Sequence, residues 1–123
     1  MDAFKQRNLY FLLVLLFCSC ERPLPDLRGI NLNSWKKDKN GCSGNRAVQI
    51  QMLKDQKNKF QGLSEMQIIG LLGRPDQNEL YKRNQKFYYY LLEPGRPCGK
   101  NVEPRKLSIR FNAMGLAKEI EVE

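Results

Sequence analysis

The rhythm of polar and apolar residues changes several times along this chain. From Leu9 to Phe17 every residue is apolar, and polarity returns abruptly at Cys18-Ser19-Cys20-Glu21-Arg22-Pro23. Residues 21–45 show little periodicity and carry Pro23, Pro25, Gly29, Gly41 and Gly44, the composition of a connecting segment. Within it, Ile30, Leu32 and Trp35 are apolar enough to dock on a domain. Between Arg46 and Lys59, the positions of Ala47, Val48, Ile50, Met52 and Leu53 suit a short amphipathic helix. Ser64 with Gln67 three residues later is the spacing of a capping box, and it predicts the start of a second helix. Met66, Ile69 and Leu72 line one edge of that helix, Ile68 and Leu71 widen it, and Gly73 and Pro75 end it. After Asp76 the period becomes two. Leu80–Lys82 can begin a strand, Arg83-Asn84-Gln85 reads as a turn, and Lys86–Leu92 reads as a strong strand. Leu107, Ile109 and Phe111 alternate with polar residues, and so do Leu116, Ile120 and Val122. The expectation is an α+β domain. Two N-terminal helices pack on one face of a small antiparallel sheet of three strands, or four if Leu80–Lys82 is counted.

The apolar run at the start is too short to cross a bilayer as a helix, which takes roughly 20 residues. With Lys5 and Arg7 before it, it fits the apolar region of an export signal. A small residue followed by cysteine at its end resembles a lipobox, the place where bacterial lipoproteins are acylated and cut. Ser19 is then the residue before the cut and Cys20 the acylated first residue. Cys18 fits less well, because Phe17 would occupy the cleavage position; an ordinary secreted protein is the competing reading. The chain divides into a signal peptide over 1–19, a lipid-anchored tether over 20–45 and a domain over 46–123.

Removing the first 19 of 123 residues leaves 104, enough for one domain. Cys18 and Cys20 are taken up by the signal region, leaving Cys42 and Cys98, and in an exported domain such a pair is expected to be bonded. Neither has a CxxC partner or a neighbouring metal ligand. The formal charge is +8, and it falls only to +7 when Asp2, Lys5 and Arg7 are removed. That excess suits acidic partners or a solvated lysine-rich surface; export takes nucleic acid off the list and leaves anionic phospholipid and acidic protein surfaces. The chain has no histidine, so the usual general base near neutral pH and the commonest zinc ligand are missing. The carboxylates, such as Glu65, Asp76 and Glu93, are scattered without acid/base spacing. No phosphate loop or metal set is present in the sequence. The expectation is a protein that is not an enzyme and uses no cofactor.

Gly62-Leu63-Ser64-Glu65-Met66-Gln67 followed by Leu71-Leu72-Gly73-Arg74-Pro75-Asp76 resembles the signature of the SmpA/OmlA (BamE-like) lipoproteins. Phe87-Tyr88-Tyr89-Tyr90 is similar to that family's aromatic strand. Leu107–Asn112 with Gly115-Leu116 and Ile120-Glu121 is similar to its closing hairpin. The similarity runs from Gly62 to Glu123. It implies an ααβββ fold and an accessory role at the outer membrane, in a lipid-anchored domain facing the periplasm. The partners it implies are the barrel-assembly machinery or another envelope protein, with anionic phospholipid as a further ligand. The alternative is a lipid-anchored inhibitor-type module with a different protein target. For contacts with a partner, the sequence offers Arg74, in the loop after the second helix, and one alternating set of the aromatic strand, taken as Tyr88 and Tyr90. The other set then belongs to the core.

Overall fold

A buried tryptophan organises the part of the chain that precedes the expected domain. Asn31 accepts a hydrogen bond from the Ser34 N–H through its side chain (3.1 Å), which caps a short helix, α1 (Leu32–Lys37). The helix turns Trp35 fully into the interior, where Leu27 and Ile30 join it. The computed structural model describes residues 23–123; the apolar leader, Cys18 and the acylation candidate Cys20 lie outside the described residues. From residue 27 onward, the segment read as a tether therefore contributes a helix and core side chains. Its helix has too few apolar positions to show a period, which is why the alternation of residues did not predict it.

The helix expected over 46–59 is α2 (Ile50–Gln56), entered through a 3-10 turn at Ala47–Gln49 and left through another at Lys57–Phe60. Its Ile50 and Leu53 are buried, as is Phe60. The capping box forms as its spacing predicts: Ser64 Oγ accepts from the Gln67 N–H (3.2 Å) and Gln67 Oε1 from the Ser64 N–H (2.9 Å). Such a cap is worth ~1 kcal/mol. It opens α3 (Glu65–Leu72), which buries Ile68, Leu71 and Leu72. Gly73 stops the helix at φ 79° and ψ −177°, a backbone region essentially reserved for glycine, and Pro75 follows.

Four strands then form a meander: β1 (Gln77–Tyr81), β2 (Gln85–Leu91), β3 (Lys106–Phe111) and β4 (Ala117–Val122), each antiparallel to its neighbour. The architecture is α+β with three helices ahead of a four-stranded sheet. The fourth strand is the one hinted at by Leu80–Lys82, displaced toward Gln77. All five of its residues are exposed, so no buried face marks it in the sequence. One face of the sheet is covered: Tyr88, Tyr90, Leu107, Ile109, Phe111, Ala117 and Ile120 share a core with Leu53, Phe60, Ile68 and Leu72. Among the described residues, no α-helix lies on the opposite face.

Candidate protein-binding face

Strand register fixes what the uncovered face displays. Residues paired across antiparallel strands stand side by side on one face, so the pairings lay out cross-strand rows. Glu79, Phe87, Arg110 and Glu119 form one row; Gln77, Tyr89, Ser108 and Glu121 form the next. Leu91 and Lys106 follow, with Glu123 beyond the end of β4 exchanging backbone hydrogen bonds with Lys106 (2.9 and 3.0 Å). Tyr81, opposite Gln85, sits at the far end. The aromatic rings along this face touch one another. Phe87 and Tyr89 stack with centroids 5.8 Å apart, and Tyr81 meets Phe87 edge-on at 5.6 Å, geometries that favour rings over isolated apolar side chains. Lys106 lies over the Tyr89 ring at 4.2 Å.

Polar groups hold the stripe in place. The Tyr89 hydroxyl donates to Glu79 (3.0 Å). Partial burial, with that carboxylate next to it, pushes the phenol up to about 12. Arg110 donates to Gln85 (2.7 Å) and to Glu119 (2.9 Å), and its hydrogen bond and charge bring the Glu119 carboxyl below its ordinary value. Beyond Leu91 the face runs into a cleft of about 650 Å³ lined by Gln77, Leu91, Arg96, Pro104, Lys106 and Glu123. An aromatic stripe with a polar rim is the composition that distinguishes contact surfaces from the rest of a protein's exterior.

Tyr88 and Tyr90, the residues expected to meet a partner, point the other way and need correcting. They alternate in phase with Leu107 and Ile109, their cross-strand partners, and therefore face the helices. Tyr90 is fully buried, with its hydroxyl donating to the Gly73 carbonyl (2.7 Å). Burial raises its phenol far above the usual range. Tyr88 packs edge-on against Phe111 with centroids 4.7 Å apart and donates to Glu65 (2.7 Å). Burial and that carboxylate raise its phenol to about 12. Burial alone would raise the Glu65 carboxyl, but the Tyr88 hydroxyl and the Lys86 ammonium (3.0 Å) together hold it below its ordinary value. Tyr90→Ala is therefore expected to cost about 3–5 kcal/mol of stability, as for other large-to-small core changes. A urea unfolding curve checks this. Arg74 is exposed and shares no surface with these two buried rings.

The Asp76 next to it is consumed by the fold. Its carboxylate accepts from the Asn40 N–H (3.0 Å) and the Leu91 N–H (2.8 Å) and pairs with Arg46. The Arg46 guanidinium also donates to the carbonyls of Trp35 (3.1 Å) and Leu91 (2.9 Å). It lies 5.0 Å from the Trp35 ring. Asp38 in turn accepts from the backbone N–H groups of Ser43 (2.6 Å) and Arg46 (2.9 Å). This buried network ties the segment around α1 to the loop before β1 and the end of β2. Beside it, Cys42 and Cys98 are bonded, with Cα atoms 5.5 Å apart.

Among the described residues there is no group of three or more histidine, cysteine, aspartate or glutamate side chains able to hold a metal, and no helix long and apolar enough to cross a membrane. No family model, no curated protein and no solved structure matches the chain.

Proposed function

We propose that the chain is a non-catalytic domain of the bacterial cell envelope, acylated at Cys20 and held at the outer membrane. In this reading it is an accessory component of outer-membrane β-barrel protein assembly or envelope integrity, and it meets its protein partner through the uncovered face of the sheet. The observation that carries the reading is the stripe of Tyr81, Phe87 and Tyr89 on a sheet face that no helix among the described residues covers. The solvent face of an antiparallel sheet is commonly polar; this one presents large aromatic rings, the side chains from which interfaces draw much of their energy. The leader with its lipobox-like end, the disulfide and the lack of histidine support an exported, non-enzymatic role. The motif resemblance supports the barrel-assembly assignment.

Replacing Phe87 and Tyr89 together by serine tests this reading. Cross-strand aromatic pairs contribute only ~0.2–1 kcal/mol each, so the variant should stay folded. It is expected to lose a partner that co-purifies in near-stoichiometric amounts with the native full-length protein in mild detergent. Recovery of barrel-assembly proteins with the native chain supports the assembly role. One stable, soluble target bound after removal of the lipid supports the inhibitor-type alternative. Full retention of the partner by the double variant removes the face from consideration.

A further inference from the structure

The segment that leads into the domain is laid between two helices. On one side, the Gln56 side chain of α2 accepts from the Arg28 N–H (2.8 Å) and donates to the Arg28 carbonyl (2.7 Å). Lys59 donates to the Asp26 carbonyl (2.7 Å), and Gly29 sits against the Met52 side chain. On the other side, Leu24 lies beside Gly70 of α3, whose carbonyl accepts from Lys36 (3.0 Å). Leu24 and Met52 remain 48% and 45% exposed. Met66, one turn before Gly70 on the same side of α3, is 75% exposed. Arg28, Lys36 and Lys59 are exposed among these apolar side chains, and none pairs with a carboxylate among the described residues. The hydrogen bonds of both lysines go to neutral oxygens, which leave the charge uncompensated. On the side of the sheet, by contrast, Arg96, Arg105, Lys106 and Arg110 each pair with a glutamate.

We infer that this surface of the helical layer lies on the headgroup region of the bilayer, with Leu24, Met52 and Met66 entering among the headgroups and Arg28, Lys36 and Lys59 pairing with lipid phosphates. The inference rests on the acylation of Cys20 proposed above. Cys20 lies three residues before Pro23, the first described residue, and three extended residues span about 10 Å. A lipid at Cys20 therefore keeps this surface beside the bilayer, where the tether makes docking an intramolecular step and modest contacts suffice. Each cation near an anionic surface strengthens such a contact about fivefold. Asp26 and Asp55, the exposed carboxylates of residues 23–76, weaken the attraction without cancelling it. The helices cover one face of the sheet, so a bilayer on their outer side leaves the aromatic face turned away from lipid and open to a protein.

The test uses the full acylated chain in bilayer nanodiscs of phosphatidylcholine and phosphatidylserine in equal parts. A gadolinium-chelating lipid broadens the signals of nearby amides, followed by NMR. The amides of Arg28, Met52, Lys59 and Met66 should broaden, while those of Tyr89, Ser108 and Glu121 stay sharp. Leu24→Ser with Arg28→Glu changes two exposed side chains that make no hydrogen bond among the described residues. This variant should lower the ratio of docked to undocked protein about tenfold or more, so that broadening spreads over both faces. High salt should act in the same direction. Equal broadening of both faces in the native chain, or broadening confined to the sheet face, would overturn the inference, and so would a variant indistinguishable from the native chain. The intact mass reports acylation separately. A mature chain without lipid overturns the anchor and the inference with it, whereas an acylated chain with no preference for the helical layer overturns the inference alone.

Discussion

Replacing Cys42 and Cys98 by serine should lower the unfolding free energy by ~4 kcal/mol, by the loop-closure entropy of a bridge of this span. The bridge closes 56 residues of sequence, from the turn after α1 to the proline-rich loop between β2 and β3. Without it, the unfolded chain regains the freedom that the covalent link removes. A domain of this length has only about 5–15 kcal/mol to lose, so the effect is large. It corresponds to a fall in melting temperature of roughly 15–30 °C. Thermal melts of the native protein with and without reductant, alongside the double-serine variant, check this. The reduced protein and the variant should melt together, well below the oxidised form. Coincidence of all three curves would mean that the bridge constrains nothing the fold does not already hold.

Asp76→Ala should be at least as damaging. Removing one member of a buried ion pair typically costs about 3–5 kcal/mol, because the other charge is left without compensation. Here the loss is wider than the pair. Arg46 keeps its contacts to the Trp35 and Leu91 carbonyls but loses its counter-charge, and the N–H groups of Asn40 and Leu91 lose their acceptor. A buried donor without a partner costs about 1–3 kcal/mol. Replacing the pair by apolar residues, Arg46→Met with Asp76→Leu, should not restore native stability, since those backbone groups stay unpaired. Asp76→Asn, which keeps an acceptor oxygen, should be milder than Asp76→Ala. Urea unfolding of the three variants ranks them. An Asp76→Ala variant as stable as the native chain would show that the network contributes nothing.

The parts of this fold written in local pattern could be read from the sequence. Ser64, Gln67, Gly73 and Pro75 define α3 within a few residues, and the alternation of Leu107, Ile109 and Phe111 defines β3. The Cys42–Cys98 bridge followed from counting cysteines. What could not be read depends on residues far apart in the chain. Strand β2 alternates aromatic with aromatic, so its period was clear while its phase was not. Only the register that pairs Tyr88 with Ile109 and Tyr90 with Leu107 decides which set is core. The unambiguous β3 held that information, but the pairing needed to transfer it is not local. The same limit hid the role of Asp76, which read as one of several scattered carboxylates and is the counter-charge of Arg46, 30 residues earlier. Leu27, Ile30 and Leu32 precede Trp35 at no helical or strand period, so its complete burial had no periodic signal.

The central claim is that partners meet this domain on the uncovered face of the sheet and not on its helical layer. Placing a photo-reactive benzoylphenylalanine at Phe87, at Tyr89 and, as a control, at Met66 tests it in living cells. Met66 lies on α3 and is 75% exposed, so accessibility alone would favour cross-links there. The expected result is a discrete adduct of this chain with an envelope protein from positions 87 and 89, and none from 66. Adducts from position 66 with none from the sheet face would contradict the account.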